Sequence, residues 1–469
     1  MNIKKIFGDR QFYKTVLLIA VPIMIQNGIT NFVGLLDNIM IGQLGTEQMS
    51  GAAIVNQLLF VFNLCIFGAL SGPGIYSAQF FGQGNSEGVR HTFRFKLIIA
   101  AIVLAVGTAV FSIFGTQLIS SYLTGNGTEG DKELTLQAGL DYLRIMLIGL
   151  VPFVITQAYA STLRETNQTI LPMVAGLAAV GINLALNWVL IFGHLGAPAL
   201  GVKGAAIATV ISRFAECGIV LLWTHINSVK NEFIKGAYKT LLIPGELAKR
   251  IIIGGLPLAI NEGLWSSGMA ILNQCYSRRG LAVVAATNIS STIFNLFSVI
   301  FIALGNSVGI IIGQLLGSGD MKKAKETDTK LIIFTVLAGT VTGGLMAAFS
   351  GVFPQFYNTT EEVRFTAAGI IAISGCFMPL ASFMHAAYFT LRSGGRTLVT
   401  FLFDSAYVWV ITIPTALLLV TFTELDIFKI YFCCQAVDIL KMTIGIILLK
   451  KGIWLRNIVA AENKNIEEG

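Results

Sequence analysis

The chain has 469 residues, 54% of them hydrophobic and only 12% charged, with a mean hydropathy of +0.74; soluble chains carry about 25% charged residues, so an ordinary water-soluble protein is excluded. The formal charge of +7 would suit a nucleic-acid binder only if the basic residues gathered on one face. They are scattered through short loops, which excludes nucleic acid as the expected partner and points to a membrane.

Apolar runs long enough for the roughly 20 residues of a spanning helix recur along the whole chain and leave no room for a soluble domain. Breaks at Gly, Pro and charge clusters predict helices near 15–41, 50–81, 95–121, 139–162, 170–193, 203–226, 249–276, 283–315, 330–353, 363–391, 398–421 and 428–449. The first run is too long for a signal peptide and lacks a small-residue cleavage pattern, so it is expected to stay as the first helix. The predicted fold class is all-α integral membrane, with twelve transmembrane helices in two six-helix bundles. All six cysteines, Cys65, Cys217, Cys275, Cys376, Cys433 and Cys434, fall in apolar segments without metal-ligand spacing. They read as small hydrophobes, with no disulfide and no metal cluster expected.

Orientation follows from the lysines and arginines. With the N-terminus in the cytoplasm, the tails and the cytoplasmic loops carry 23 of the 32 basic residues, from Lys4, Lys5, Arg10 and Lys14 through Arg90, Arg94 and Lys96 to Lys450, Lys451, Arg456 and Lys464. The opposite loops are richer in acids, among them Glu129, Asp131, Glu133, Glu361 and Glu362. The positive-inside rule therefore places both termini in the cytoplasm of a multi-pass plasma-membrane protein.

The chain also repeats itself. Pro22 answers to Pro257, and FNL at 62–64 to FNL at 294–296; QFFGQGN at 79–85 returns as QLLGSGD at 314–320, and TLRETNQT at 162–169 as TLRSGGRT at 390–397. Six helices per copy give both copies the same membrane orientation, which makes them parallel repeats about an axis along the bilayer normal. The expected organisation is an N-lobe over 1–228 with helices 1–6, a basic cytoplasmic connection over 229–248, and a C-lobe over 249–469 with helices 7–12 and the tail. A central cleft is expected between the lobes.

Ionisable residues inside a membrane are costly and mark functional candidates, at about 2.5–3.5 kcal/mol for a central aspartate on insertion scales. Three acids stand out. Asp37 lies toward the end of the first helix, Glu262 early in the seventh within NEGLWSSGMAILNQ, and Asp404 in the eleventh within FLFDSAYVWVITIP. Asn183 and Asn187, four apart in GINLALNW, share a face of the fifth helix, and Thr209 offers a hydroxyl from the sixth. One carboxylate with neutral oxygens suits a small hard cation or a hydrogen-bonded proton. Asn183 and Asn187 could equally serve as interhelical glue.

Glu262 shares a face with Ser266, Met269 and Asn273, a polar track on an apolar helix. Protonation and cation occupancy would compete at its carboxylate, so it can exchange one for the other. Asp404, with Thr400 and Tyr407 on its face, is either a further exchangeable acid or a hydrogen-bonded structural one. Arg213 with Glu216, and Asp438 with Lys441, are each three apart and read as self-neutralising pairs. His385 reads as a packed hydrogen-bonding side chain. No catalytic triad, zinc motif or phosphate loop is present: QFFGQGN and QLLGSGD lack a lysine and hydroxyl pair and read as cytoplasmic turns. No enzymatic activity is expected.

These residues carry a family resemblance over the whole chain. PIMIQNGITNFVGLLDNIMIGQLGTEQMSGAAIVNQ, the duplicated TLR motifs, GINLALNWVLIFG and GVKGAAIATVISR resemble the multidrug and toxic compound extrusion (MATE) transporters. The resemblance implies a V-shaped pair of six-helix lobes, functioning as a monomer among membrane lipids, that exports small organic, often cationic compounds by alternating access. Export would be driven by inward Na⁺ or H⁺, with no other cofactor. It further implies that Asp37, Asn183, Asn187 and Thr209 form the N-lobe cation or proton site and that Glu262 is the C-lobe acid. Asp37 and Glu262 become the expected contacts for a cationic substrate, and Pro22 the point where the first helix bends. In the sodium-coupled bacterial branch a further acid lies on the tenth helix, where this chain has ASFMHAAYFTLR; Asp404 is the candidate replacement. A lipid-linked precursor flippase of the wider superfamily is the alternative, but it would want several cationic side chains in the lobes, and few are present.

Overall fold

The computed structural model describes residues 8–123 and 131–460, apart from the side chains of 33–35, 38 and 39. Lys4, Lys5, Glu129 and Lys464, counted above toward the charge asymmetry, lie outside the described residues. Among the described residues there is no strand. Twelve long helices follow one another: α1 (Arg10–Gly42), α2 (Thr46–Gln83), α3 (Ser86–Tyr122), α4 (Lys132–Glu165), α5 (Ile170–Phe192), α6 (Val202–Ile226), α7 (Gly245–Ser277), α8 (Leu281–Gly317), α9 (Met321–Ala348), α10 (Glu361–Ser393), α11 (Thr397–Phe422) and α12 (Ile427–Lys451). Eleven of them are long and apolar enough to cross a membrane. The exception is α7, whose apolar run is interrupted by Asn261, Glu262, Ser266 and Ser267.

Local chemistry sets the ends of these helices. Asp131 starts α4 by accepting from the Glu133 and Leu134 amides, Thr360 starts α10 through the Val363 amide, and Asp426 starts α12 through that of Lys429. Each satisfies a donor that the first turn leaves open. The duplicated glycine motifs stop α2 and α8: Gly84 and Gly319 adopt φ of 77° and 81°, a conformation glycine enters without a side-chain clash. QFFGQGN is thus mostly helix, and only its last two residues turn.

α11 departs from regular geometry. Its middle is wound as two π-helical stretches, Leu402–Ala406 and Val408–Thr412. Pro414 follows after Ile413; it donates no backbone hydrogen bond and its ring crowds the preceding turn, which the wider π winding relieves. α1, by contrast, runs on through Pro22 without losing its helical assignment.

The chain divides into two compact units. One comprises Met1–Met24, Ala78–Asn85 and Ile251–Gly469, the other Ile25–Ser77 and Ser86–Arg250. In the second unit, Val55, Ile119, Leu150, Ala158 and Ala206 form the core. Small residues let helices close: a Cβ on Gly51 would stand 2.7 Å from the backbone of Gly139, bringing α2 and α4 together.

In the first unit Met346, Ile370, Ile371, Met378 and Ile430 build one core, and Val16, Ala20, Leu304, Ile312, Leu316, Leu391 and Trp454 another. Here the ends of α2 and α8 cross through the repeated motifs themselves: a Cβ on Gly82 would strike the backbone of Gln314, and one on Gly317 the backbone of Gln79. Gln79, fully buried, donates to the Ser393 and Arg456 carbonyls and accepts from the Ile458 amide at 2.8 Å. It thereby ties the segment after α12 beneath the crossing.

Candidate functional site

In the unit built on α2–α6, the four residues singled out from the sequence form one hydrogen-bonded chain. Asn187 Nδ2 donates to Asp37 Oδ1 at 2.6 Å and to Asn183 Oδ1 at 3.2 Å. Asn183 Nδ2 donates to Thr209 Oγ1 at 3.2 Å, and that hydroxyl donates to the Ala205 carbonyl. Helical geometry explains the asparagines, since residues four apart stack on one face. Asn183 and Asn187 are 4% and 0% exposed, whereas Asp37 is only half-buried. Asn187 Oδ1 is enclosed and has no hydrogen-bond partner. A buried carbonyl oxygen left open beside a carboxylate is an uncompensated acceptor, and together they offer hard oxygen donors to a cation. Tyr142 of α4, which the sequence reading did not single out, lies within electrostatic reach of both Asp37 and Arg213 and donates to Asn56 at 3.3 Å.

In the other unit Glu262 and Asp404 share Asn261 but differ in their remaining partners. Glu262 Oε1 accepts from Tyr388 of α10 at 3.3 Å, with Arg392 of α10 within electrostatic reach. Of the track expected along α7, Ser266 and Met269 are half-buried and Asn273 is exposed. The residue that binds here is Asn261, next to Glu262 and 1% exposed. Its amide donates to Asp404 Oδ2 at 3.0 Å, and its backbone and side-chain carbonyls take the Ser405 hydroxyl.

Asp404 Oδ1 is in turn bonded to Lys441 Nζ at 3.0 Å. Lys441 therefore leaves the expected helical pair with Asp438, which stands further off within electrostatic reach. Thr400 and Tyr407, expected on the face of Asp404, donate to the carbonyls of Arg396 and Val437.

Other expectations are also redrawn. Arg213 makes no close ion pair with Glu216 among the described residues but stays within its electrostatic reach; it reaches the Gly149 carbonyl at 3.4 Å and lies 5.0 Å from the Phe153 ring centre. His385 is packed among Phe301, Tyr388 and Phe389, and its Nε2 is buried without a hydrogen-bond partner. Lys96, counted with the loop cations, is 0% exposed and pairs with Glu165 while donating to Thr162. In the second copy, Asp328 of α9, 3% exposed, accepts from Thr390. Each copy thus anchors the threonine of its TLR motif on a buried ionisable side chain of the helix before. The duplicated motif was a signal for this, but the partner's burial was not.

The sequence profile of the MatE family matches residues 22–189 and 257–418, one stretch in each duplicated half. This chain belongs to the MatE family. The chain is similar to the probable multidrug resistance protein NorM of Thermotoga maritima, 25% identical over 464 residues that cover 97% of this chain and 96% of that protein. It is also similar to the probable multidrug resistance protein YoeA of Bacillus subtilis, 24% identical with 89% of each chain covered. Among solved structures, an outward-facing MATE transporter of the MOP superfamily superposes with a TM-score of 0.81 at 17% identity, covering 96% of this chain and 97% of that one. The twelve-helix MATE fold follows, and the matched stretches take in Asp37, Asn183, Asn187, Glu262 and Asp404.

Proposed function

We propose that this MatE-family chain is a multidrug efflux antiporter that exports small organic, often cationic compounds by alternating access, driven by inward Na⁺ or H⁺. The relatives named as multidrug resistance proteins support the export reading. The observation that carries the coupling is the enclosed chain Asp37–Asn187–Asn183–Thr209 with the open Asn187 Oδ1. A Na⁺ ion there would take oxygens from Asp37, Asn187 and Thr209; a proton would sit on Asp37. Either occupant removes the net charge of the site and changes which conformation is favoured. Coupling demands that ion and drug prefer different conformations, since a ligand that binds both equally shifts nothing.

Glu262, which accepts from Tyr388, is the exchangeable acid of the other unit and a contact for cationic substrate. Asp404 is better assigned to structure: both its oxygens are taken, one by a lysine, so it ties α11 to α7 and α12. The two halves act as the moving lobes, with α1 bending at Pro22 and both termini in the cytoplasm of a monomer in the plasma membrane.

The test is efflux of a fluorescent cation from vesicles with Na⁺ and pH gradients imposed separately. Efflux driven by one gradient and lost in Asp37→Asn supports the reading; undiminished extrusion by both Asp37→Asn and Glu262→Gln, inserted at normal levels, refutes it.

A further inference from the structure

A cavity of about 700 Å³ lies where the first turns of α3 meet the connection between the two halves, lined by Arg90, His91, Arg94, Lys235 and Lys239, with Glu87 the one acid. Its charge is not balanced from within. Glu87 stands 3.6 Å from His91, and none of Arg90, Arg94, Lys235 or Lys239 forms a salt bridge among the described residues. Arg94 is committed to architecture: its guanidinium donates to the carbonyls of Gly236, Ala237 and Leu242 at 2.8, 2.8 and 3.1 Å. Those carbonyls fold the connection around the arginine yet leave its positive charge in place. Arg90 Nε is enclosed and has no hydrogen-bond partner, while Lys235 and Lys239 stand exposed at the rim.

The surroundings say which anion fits. α3 continues directly into an apolar span, so the cavity sits at a membrane interface. Beside it, Tyr238, Leu241 and Leu242 are 53%, 58% and 76% exposed. A free anion would meet the cations but leave those apolar side chains in water, whereas an acyl-bearing ligand covers both. Basic pockets at the ends of membrane helices take acidic headgroups.

We propose that this cavity is a binding site for one anionic phospholipid, its phosphodiester held by Arg90, Lys235 and Lys239 and its acyl chains lying along Leu241 and Leu242. The lipid pins the inter-half connection to the start of α3. The site needs only a membrane-embedded chain and stands or falls apart from the antiport reading.

The test uses the full-length protein in detergent with added phosphatidylglycerol, phosphatidylcholine or inorganic phosphate, read by native mass spectrometry and by thermal unfolding. The expected result is retention of one phosphatidylglycerol with a raised Tm, and no comparable effect of phosphatidylcholine. In Arg90→Gln/Lys235→Gln/Lys239→Gln the affinity for phosphatidylglycerol should fall at least about tenfold. Lys322→Gln/Lys323→Gln/Lys325→Gln, three basic residues of the α9 start, should keep it. Equal stabilisation of the wild type by phosphatidylcholine overturns the proposal, as does full retention by the first triple variant. Displacement by inorganic phosphate with the same rise in Tm assigns the cavity to a free anion and also overturns it.

Discussion

A carboxylate within a membrane span is kept where a neighbour answers its charge, and the acids of this chain are answered in different ways. Asp37 has an amide from Asn187 and, among the described residues, no cation; Asp404 has a lysine and an amide. Among the described residues, the first commits one carboxylate oxygen and the second both. Asp37→Asn, which preserves size and hydrogen bonding but not charge, is expected to reduce dye extrusion to the level of vesicles without transporter, with unchanged membrane yield. At the other acid the expected loss is in stability. Lys441→Gln leaves Asp404, whose side chain is 20% exposed, without its counter-charge and should cost about 1.5–3 kcal/mol, seen as a lower Tm in detergent. Asp404→Asn/Lys441→Gln should recover much of that loss, and a double variant no more stable than the single one would contradict the pairing.

At the scale of elements, the crossing of α2 and α8 is made by glycines at matching places in the two copies. Gly82 and Gly317 each face the other helix's backbone, which has no rotamer with which to give way. Gly317→Ala therefore forces the helices apart and should cost about 1–3 kcal/mol, as overpacking does elsewhere. The same change at Gly319 would strain a turn instead, through its positive φ. The segment after α12 belongs to this crossing: Trp454 is 1% exposed and lies in the core with Leu316 and Leu391. Trp454→Ala is expected to lower stability by about 3–5 kcal/mol, measured by the Tm of the purified protein. A wild-type Tm would show that the segment does not dock there.

For the whole molecule, the expectation is that one imposed gradient, of Na⁺ or of protons, drives export from vesicles. Labels at the two termini should react from the same side of the membrane. A terminus labelled only from opposite sides would overturn the orientation drawn from the basic residues.

Composition and hydropathy by themselves determined that the chain is a membrane protein of twelve helices, because spanning length and apolar content are local properties. The repeats could be read for the same reason, and so could the grouping of Asn183 with Asn187, four apart on one helix. The tertiary structure decided what each charge touches. Lys441 faces Asp404 rather than Asp438, Lys96 is buried against Glu165, Asn261 binds where Ser266 and Asn273 were expected to continue a track, and Gln79 holds the tail. Periodicity reports only which residues of one helix share a face. The partner across to the next helix depends on how helices pack and, in α11, on a π winding that shifts the register, and no pattern within a single segment encodes that.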